Sequence, residues 1–318
     1  MTARDPQPHK GDFARRAVVA IGVFDGLHLG HARILEHALA RAREIGGRCV
    51  VLSFDPHPDL VLAKRGFQFP APLTPLPEKR ARLLAMGVER LDVMPFTREL
   101  AALTPEDFVK RHLVRPYRPA LLVAGEGFAL GKGRAGTCER LREIGVRHGF
   151  DVESVPLVEL DGAPVSSTRI RALLGQGQVA EAARLLGRAY EIEGTVVTGH
   201  GLGKVLGFPT ANLRLHQEKL VPMDGIYAVR ARLEPRGAWL PAAMSIGVRP
   251  TFDGTVRQLE VHVLDWNGDL VGTSIVVEFV DWLRQQTKFE TPEALVAAID
   301  RDLVETRRRL AAPSAART

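Results

Sequence analysis

Apolar positions in the first half of the chain alternate between two periods. Ala17–Phe24 (AVVAIGVF) is an apolar, β-branched run that ends in a glycine-bearing turn, and it predicts a buried strand. In His31–Ile45 the residues Ile34, Leu35, Ala38, Leu39 and Ala42 return every three or four positions, which predicts a helix. Cys49–Phe54, Leu91–Met94 and Ala120–Ala124 read as further short strands. Glu78–Met86, closed by Gly87, and Pro105–Leu113 read as helices. Strands separated by helices predict a parallel sheet covered on both faces. Ser167–Leu186 reads as two short helices broken at Gly175-Gln176-Gly177.

After Gly187 the period changes. Glu191–Val197, Ile226–Leu233, Ala242–Ile246, Leu259–Leu264 and Ser274–Phe279 are short β-rich segments between turn-like Gly, Pro and Asp clusters. They predict a small antiparallel barrel or sandwich. Thr291–Leu310 closes the pattern as a helix, with Thr291 as N-cap, Pro292 at N1 and a stripe of Val296, Ile299, Leu303 and Leu310. The expected domains are residues 1–186 and 187–318.

Composition narrows this picture modestly. The 318 residues carry 45% hydrophobic and 25% charged positions, ordinary for globular domains. No run approaches the about 18 apolar residues of a membrane span, and the polar first residues do not read as a secretory signal. Two cysteines, Cys49 and Cys138, stand far apart and suggest neither a disulfide framework nor a metal site; a reducing cytoplasm is the expected setting. The net charge of +6 favours anionic partners. No dense basic run interleaved with aromatics points to nucleic acid, and the sequence names no protein partner.

Candidate chemistry begins at Gly22-Val23-Phe24-Asp25-Gly26-Leu27-His28-Leu29-Gly30-His31. A strand runs into a glycine turn, and His-x-Gly-His opens a helix. Glycines let backbone approach a phosphate, and a helix N-terminus offers free N–H groups. His28 and His31 share a helix face and can donate hydrogen bonds to a triphosphate as its leaving group gains charge. A plain turn with two surface histidines is the competing reading. Near the end of the first half, Ser166-Ser167-Thr168-Arg169-Ile170-Arg171 combines a helix start, with Ser167 or Thr168 as cap, and an arginine suited to an anion.

These residues resemble the nucleotidylyltransferase superfamily, and Phe24–His31 resembles the form found in bacterial bifunctional riboflavin kinase/FMN adenylyltransferases. That resemblance implies a Rossmann-like nucleotidylyltransferase domain followed by a small antiparallel β-barrel kinase domain with a C-terminal helix. It gives Gly22, Phe24, Asp25, Gly30, Ser167, Thr168 and Arg169 to ATP and its phosphates, and Asp55, Pro56, His57 and Pro58 to a flavin loop. In the second domain, Gly201-Leu202-Gly203-Lys204-Val205-Leu206-Gly207-Phe208-Pro209-Thr210-Ala211-Asn212 resembles the glycine loop and Pro-Thr-Ala-Asn motif of riboflavin kinases. The resemblance assigns Gly201, Gly203, Lys204, Gly207 and Pro209 to ATP, and Thr210 and Asn212 to Mg²⁺. It further gives Arg249 to the flavin and makes Glu260 the base for the riboflavin 5′-hydroxyl. In a strand, Leu259, Val261 and Val263 share one face while Glu260 and His262 point to the other. The substrates implied are ATP, riboflavin and FMN.

One loop departs from the family. Relatives typically carry Gly-x-(Asn/Asp)-Phe-Arg-Phe-Gly and then Gly-Asp. Here Gly127, Ala129 and Thr137 replace the polar residue, the arginine and the aspartate. The alternative is therefore an active kinase whose N-terminal half is a weakened enzyme or a nucleotide- or flavin-binding regulatory module. Other His-x-Gly-His enzymes, including pantetheine-phosphate adenylyltransferases and class I tRNA synthetases, do not explain Pro209–Asn212.

Overall fold

The computed structural model describes residues 16–63, 71–199, 203, 206–233, 237–251 and 254–311. By contact, the chain forms two compact units, 1–165 and 166–318.

The first unit is a five-stranded parallel sheet with helices on both faces. Its elements run β1 (Ala17–Ile21), α1 (Leu29–Glu44), β2 (Arg48–Asp55), α2 (Pro58–Leu62), α3 (Leu76–Ala85), β3 (Arg90–Pro95) and α4 (Arg98–Ala101). There follow α5 (Pro105–Val109), a π-helical segment (Lys110–Val114), α6 (Arg115–Tyr117), β4 (Pro119–Gly125), a small hairpin of β5 (Ala129–Leu130) and β6 (Gly136–Thr137), α7 (Cys138–His148) and β7 (Asp151–Val155). A second small hairpin, β8 (Glu159–Leu160) with β9 (Ala163–Pro164), closes the unit. All five residues of β1 are buried. Val19 and Ile21 face a core built with Phe108, Leu113 and Leu141, while Val18 and Ala20 face Leu35, Ala38 and Leu83. That two-sided burial explains why the strands read as apolar runs rather than alternating ones.

The sheet order is β3-β2-β1-β4-β7, so the winding reverses between β1 and β4. Ligands of open α/β sheets bind beyond the carboxyl ends of strands at such a reversal. The turn after β1 and the loop after β4 both stand there.

The second unit opens with α8 (Ser167–Gly175) and α9 (Val179–Leu186), followed by β10 (Tyr190–Val197), β11 (Ala211–Leu215), β12 (Gly225–Leu233), β13 (Trp239–Thr251), β14 (Gly254–Val263) and β15 (Ser274–Arg284). These six strands close a barrel in the order β10-β11-β14-β13-β12-β15. Leu259, Val261 and Val263 of β14 are buried opposite Ile246, Met244 and Ala242 of β13, so the predicted alternation is present. The final helix, α10 (Pro292–Ala311), begins with the Ala294 N–H donating to Thr291 Oγ1 at 3.2 Å. Paired forks from Arg284 to Asp302, at 2.8 Å each, hold it to β15.

Contact divides the chain after Val165, earlier than the period change at Gly187. The helix pair α8–α9 carries its own apolar face, with Ile170, Leu174, Val179, Ala182, Leu185 and Leu186 buried. The Met223 N–H donates to the Leu174 carbonyl (2.9 Å), tying this pair to the barrel. A helix can pack on a barrel without sharing its period.

Two candidate sites, one on a turn and one on a ladder

In the first unit the turn Gly22–His28 is a strained construction held by buried polar groups. Phe24 and Leu27 sit at φ 53° and 44° on either side of Gly26. A non-glycine residue in that region costs about 1–3 kcal/mol and persists where its surroundings over-determine it. Here they do. Phe24 is fully buried, and the carboxylate of buried Asp25 accepts the backbone N–H groups of Leu73 (3.2 Å) and Thr74 (3.0 Å). The Val23 carbonyl accepts both the Ser53 hydroxyl (2.9 Å) and the Lys79 ammonium (2.8 Å).

The turn delivers two imidazoles. His28 is the N-cap of α1, and its Nδ1 accepts the His31 backbone N–H at 3.3 Å. A ring nitrogen that accepts carries no proton, so neutral His28 has its N–H on Nε2. The cap thus selects the tautomer as well as starting the helix. The His31 ring stacks on that of His28 at 3.7 Å between centroids, and Phe24 meets His31 edge-on at 5.3 Å. Gly30 lies so close to the His28 ring that an added Cβ would stand 3.2 Å from it, and one at Gly22 would stand 3.2 Å from Phe24. The two rings expected to share a helix face do lie together, with His28 buried rather than at the surface.

At the end of β2, Asp55 is exposed and its carbonyl accepts the Phe96 N–H (3.1 Å). Pro56 leads to His57, which caps α2 by accepting the Asp59 N–H (3.2 Å), with Pro58 at N1. The departing loop keeps two physical functions. Thr137 caps α7, accepting the Arg140 N–H at 3.3 Å, a task that Thr shares with Asp. Arg134 donates to the Gly127 carbonyl at 2.9 Å, so a guanidinium stands in this loop although position 129 is alanine. The late motif needs one correction. Ser166, not Ser167 or Thr168, caps α8, because its extended backbone (φ −147°, ψ 155°) lets Oγ accept the Arg169 N–H at 3.2 Å. Ser167, Thr168 and Arg169 form the first turn in the second unit.

In that unit two candidate residues, Asn212 and Glu260, stand on neighbouring strands of the barrel's outer face. Asn212 of β11 is directly opposite Glu260 of β14, and Glu260 is opposite Ser245 of β13. Directly paired residues hold their Cβ atoms about 4.5–5.5 Å apart on one face, so the three form a polar row. Ala211, Val261 and Met244, one position along, are buried inside. His262 donates from Nδ1 to the Pro209 carbonyl (2.8 Å) and meets Phe208 edge-on at 6.1 Å, which fixes the segment carrying Thr210. Gly199 and Gly203 pack so tightly that an added Cβ would overlap the Asn212 amide and the Phe208 carbonyl respectively. Gln286 Nε2 donates to Ser245 Oγ at 2.8 Å.

Contacts thus link Gly203 to Phe208 and Thr210, Pro209 to His262, and Asn212 to Glu260, with Gly207 in the loop between them. Gly201, Lys204 and the Arg249 side chain lie outside the described residues. Sequence reasoning missed Lys79, Ser53 and Gln286, and saw His262 only as a neighbour of Glu260. Lys79 left a trace: it falls three residues after Leu76 and four before Leu83, a lysine on an apolar helix face.

Neither thiol is poised for chemistry. Burial pushes Cys49 up to about 12 and also raises half-buried Cys138. Among the described residues no three His, Cys, Asp or Glu side chains cluster to hold a metal, and no helix is long and apolar enough to cross a membrane.

A Rossmann-like unit with a His-x-Gly-His turn, followed by a barrel with a Pro-Thr-Ala-Asn strand, defines a two-domain nucleotide-dependent transferase. Comparison with known proteins makes this specific. Residues 11–169 match the FAD synthetase family and residues 186–310 the riboflavin kinase family. The chain is 40% identical to a bifunctional riboflavin kinase/FMN adenylyltransferase of Pseudomonas fluorescens, over 95% of this chain and 96% of that one. It is 37% identical to the protein of that name from Escherichia coli K12, over 91% of each. A crystal structure described as a macrolide-efflux protein from Streptococcus pneumoniae shares the fold, with a TM-score of 0.85 and 32% identity over 92% of this chain and 94% of that one. The chain belongs to the bifunctional riboflavin kinase/FMN adenylyltransferase family.

Proposed function

We infer that the chain phosphorylates riboflavin to FMN with ATP and adenylylates FMN to FAD with release of pyrophosphate. The observation that carries this reading is that two family matches, FAD synthetase over residues 11–169 and riboflavin kinase over residues 186–310, follow one another along the chain, the first spanning the His28–His31 turn and the second the Asn212–Glu260 pair. The alternative of a binding-only N-terminal half gains no support. Its one argument, the altered loop, is weakened by the Thr137 cap and by Arg134.

In the kinase step, Glu260 accepts the proton of the ribityl 5′-hydroxyl as that oxygen attacks the γ-phosphorus, and ADP leaves. The strand pairing puts Asn212 beside Glu260, and His262 holds the Pro209–Thr210 segment. The Thr210 hydroxyl and Asn212 amide oxygen are hard donors that fit Mg²⁺ bound mainly through substrate phosphates. When bound, Mg²⁺ neutralises triphosphate charge.

In the adenylyl step, an FMN phosphate oxygen attacks the α-phosphorus of ATP, and the bond to pyrophosphate breaks. His28 Nε2–H and the His31 ring donate to the charge that moves onto the leaving group, and the N-terminus of α1 adds its own N–H groups. Gly22, Phe24, Asp25 and Gly30 shape that turn. Ser167, Thr168 and Arg169 supply the phosphate-binding element of the late motif, Asp55–Pro58 the flavin loop, and Gly201, Lys204 and Arg249 the remaining kinase contacts. Both steps are mainly positioning and electrostatics. A cytoplasmic location belongs to the same proposal, supported by the two free thiols.

The test is a time course. Purified protein with riboflavin and Mg·ATP is expected to form FMN first and FAD after it. FMN that never proceeds to FAD, in protein supplied with excess ATP, rejects the adenylyltransferase half.

A further inference from the structure

Lys79 is a buried ammonium for which the two steps above have no use. It is 7% exposed, and its Nζ donates to the Val23 carbonyl alongside the Ser53 hydroxyl. Burial lowers its pKa, while the carboxylates of Asp25 and Asp55 raise it. Those carboxylates belong to two different loops: Asp25 to the turn that presents His28, and Asp55 to the end of β2, where the flavin loop begins. The lead-in to α3 is tied to the same turn, because the Leu73 and Thr74 N–H groups end on Asp25. A lysine that merely filled this space would be a poor choice, since an ammonium out of water is costly and a methionine has similar volume.

We propose that Lys79 is a positioning residue of adenylyl transfer. With Ser53 it clamps the Val23 carbonyl, and Asp25, which accepts the Leu73 and Thr74 N–H groups, ties the same histidine turn to the lead-in of the helix that carries Lys79. The path to the chemistry is short. Val23 precedes Phe24, whose left-handed backbone (φ 53°) begins the reversal that ends at the His28 cap. Loosening the carbonyl loosens the direction of the His28 N–H, which matters most when charge reaches the leaving group.

The experiment uses the full chain with FMN and ATP. Lys79→Met is expected to lower kcat for FAD formation by on the order of 10²-fold, the usual consequence of displacing a catalytic group by about 1 Å. KM for ATP and FMN should stay near the unmutated values, and FMN formation from riboflavin and the melting temperature should be unchanged. Lys79→Arg, which returns a buried cation and a donor, should recover part of the rate. A folded Lys79→Met protein that makes FAD at the unmutated rate, or loses only in KM, overturns the proposal, as does an Arg variant as slow as the Met variant. Should Lys79→Met not fold, Ser53→Ala decides. It removes the other donor to the same carbonyl and should slow FAD formation several-fold; an unchanged rate rejects the clamp. The inference rests on the adenylyltransferase reading, and the two fail separately. Unmutated protein that makes no FAD takes both down, whereas active Lys79→Met rejects the clamp alone.

Discussion

The first unit presents its candidate groups on a turn, and the second presents its own on a ladder. On the turn, geometry comes from a few long-range bonds: Asp25 to Leu73 and Thr74, and Lys79 and Ser53 to Val23. On the ladder, strand register alone puts Asn212, Glu260 and Ser245 in line, and the buried partners Ala211, Val261 and Met244 hold that register. A slip of one residue would turn every side chain to the other face. The turn can therefore be loosened by one distant side chain, while the ladder yields only to changes in the row itself or in the core behind it.

The sharpest way to break this contrast is within the row. Glu260→Gln preserves shape and register and removes the base, so FMN formation should fall by about 10²–10⁴-fold while supplied FMN is still adenylylated. Near-normal FMN formation would leave Glu260 as an ordinary outward residue of β14.

The turn responds next. His28→Ala and His31→Ala each remove one donor, and FAD formation should fall by roughly 10²–10³-fold, with FMN accumulating from riboflavin. His28→Asn separates the two functions of that residue. Asparagine caps helices well, so thermal stability should survive while FAD formation does not. Stability and activity falling together only in the alanine variant would make the cap, rather than the ring, the important feature.

A smaller effect concerns the helix pair. Because α8 and α9 bury their apolar face within the second unit, a fragment of residues 166–318 should fold and convert riboflavin to FMN. A fragment of residues 187–318 should melt lower by roughly 10 °C or more, since it loses several buried aliphatic side chains. Equal melting temperatures would show that the pair contributes little to the barrel.

The mildest expectation lies in the altered loop. Gly127 sits at φ 80° with open space around it, a conformation asparagine tolerates. Gly127→Asn with Ala129→Arg should raise FMN adenylylation by a few-fold at most, since Arg134 and Thr137 already serve this loop. A large gain would show that the natural loop is impaired.

The ladder was far more legible in the sequence than the turn. Alternation along Leu259–Val263 assigned Glu260 to the outer face because a strand has a period of two and the barrel interior admits only apolar residues. The edge contacts were not legible. β11 was hidden inside a motif, and nothing local signals that the Pro209 carbonyl ends on His262. For the turn, glycine and histidine spacing announced a phosphate-type loop, but its stabilising bonds come from 48 and 56 positions away, beyond any local pattern. β7 was also missed, since Asp151–Val155 carries polar residues at the sheet's edge.

Mixing the two inactive halves tests the independence of turn and ladder most directly. Glu260→Gln protein and His28→Ala protein are each given riboflavin and Mg·ATP, alone and together, and FAD is measured over time. Either protein alone should form very little FAD. Together they should form it readily, because FMN made on the ladder of the His28 variant diffuses to the intact turn of the Glu260 variant. A mixture that forms no more FAD than the separate proteins would contradict two self-sufficient sites, and would require that both act on one flavin within one chain.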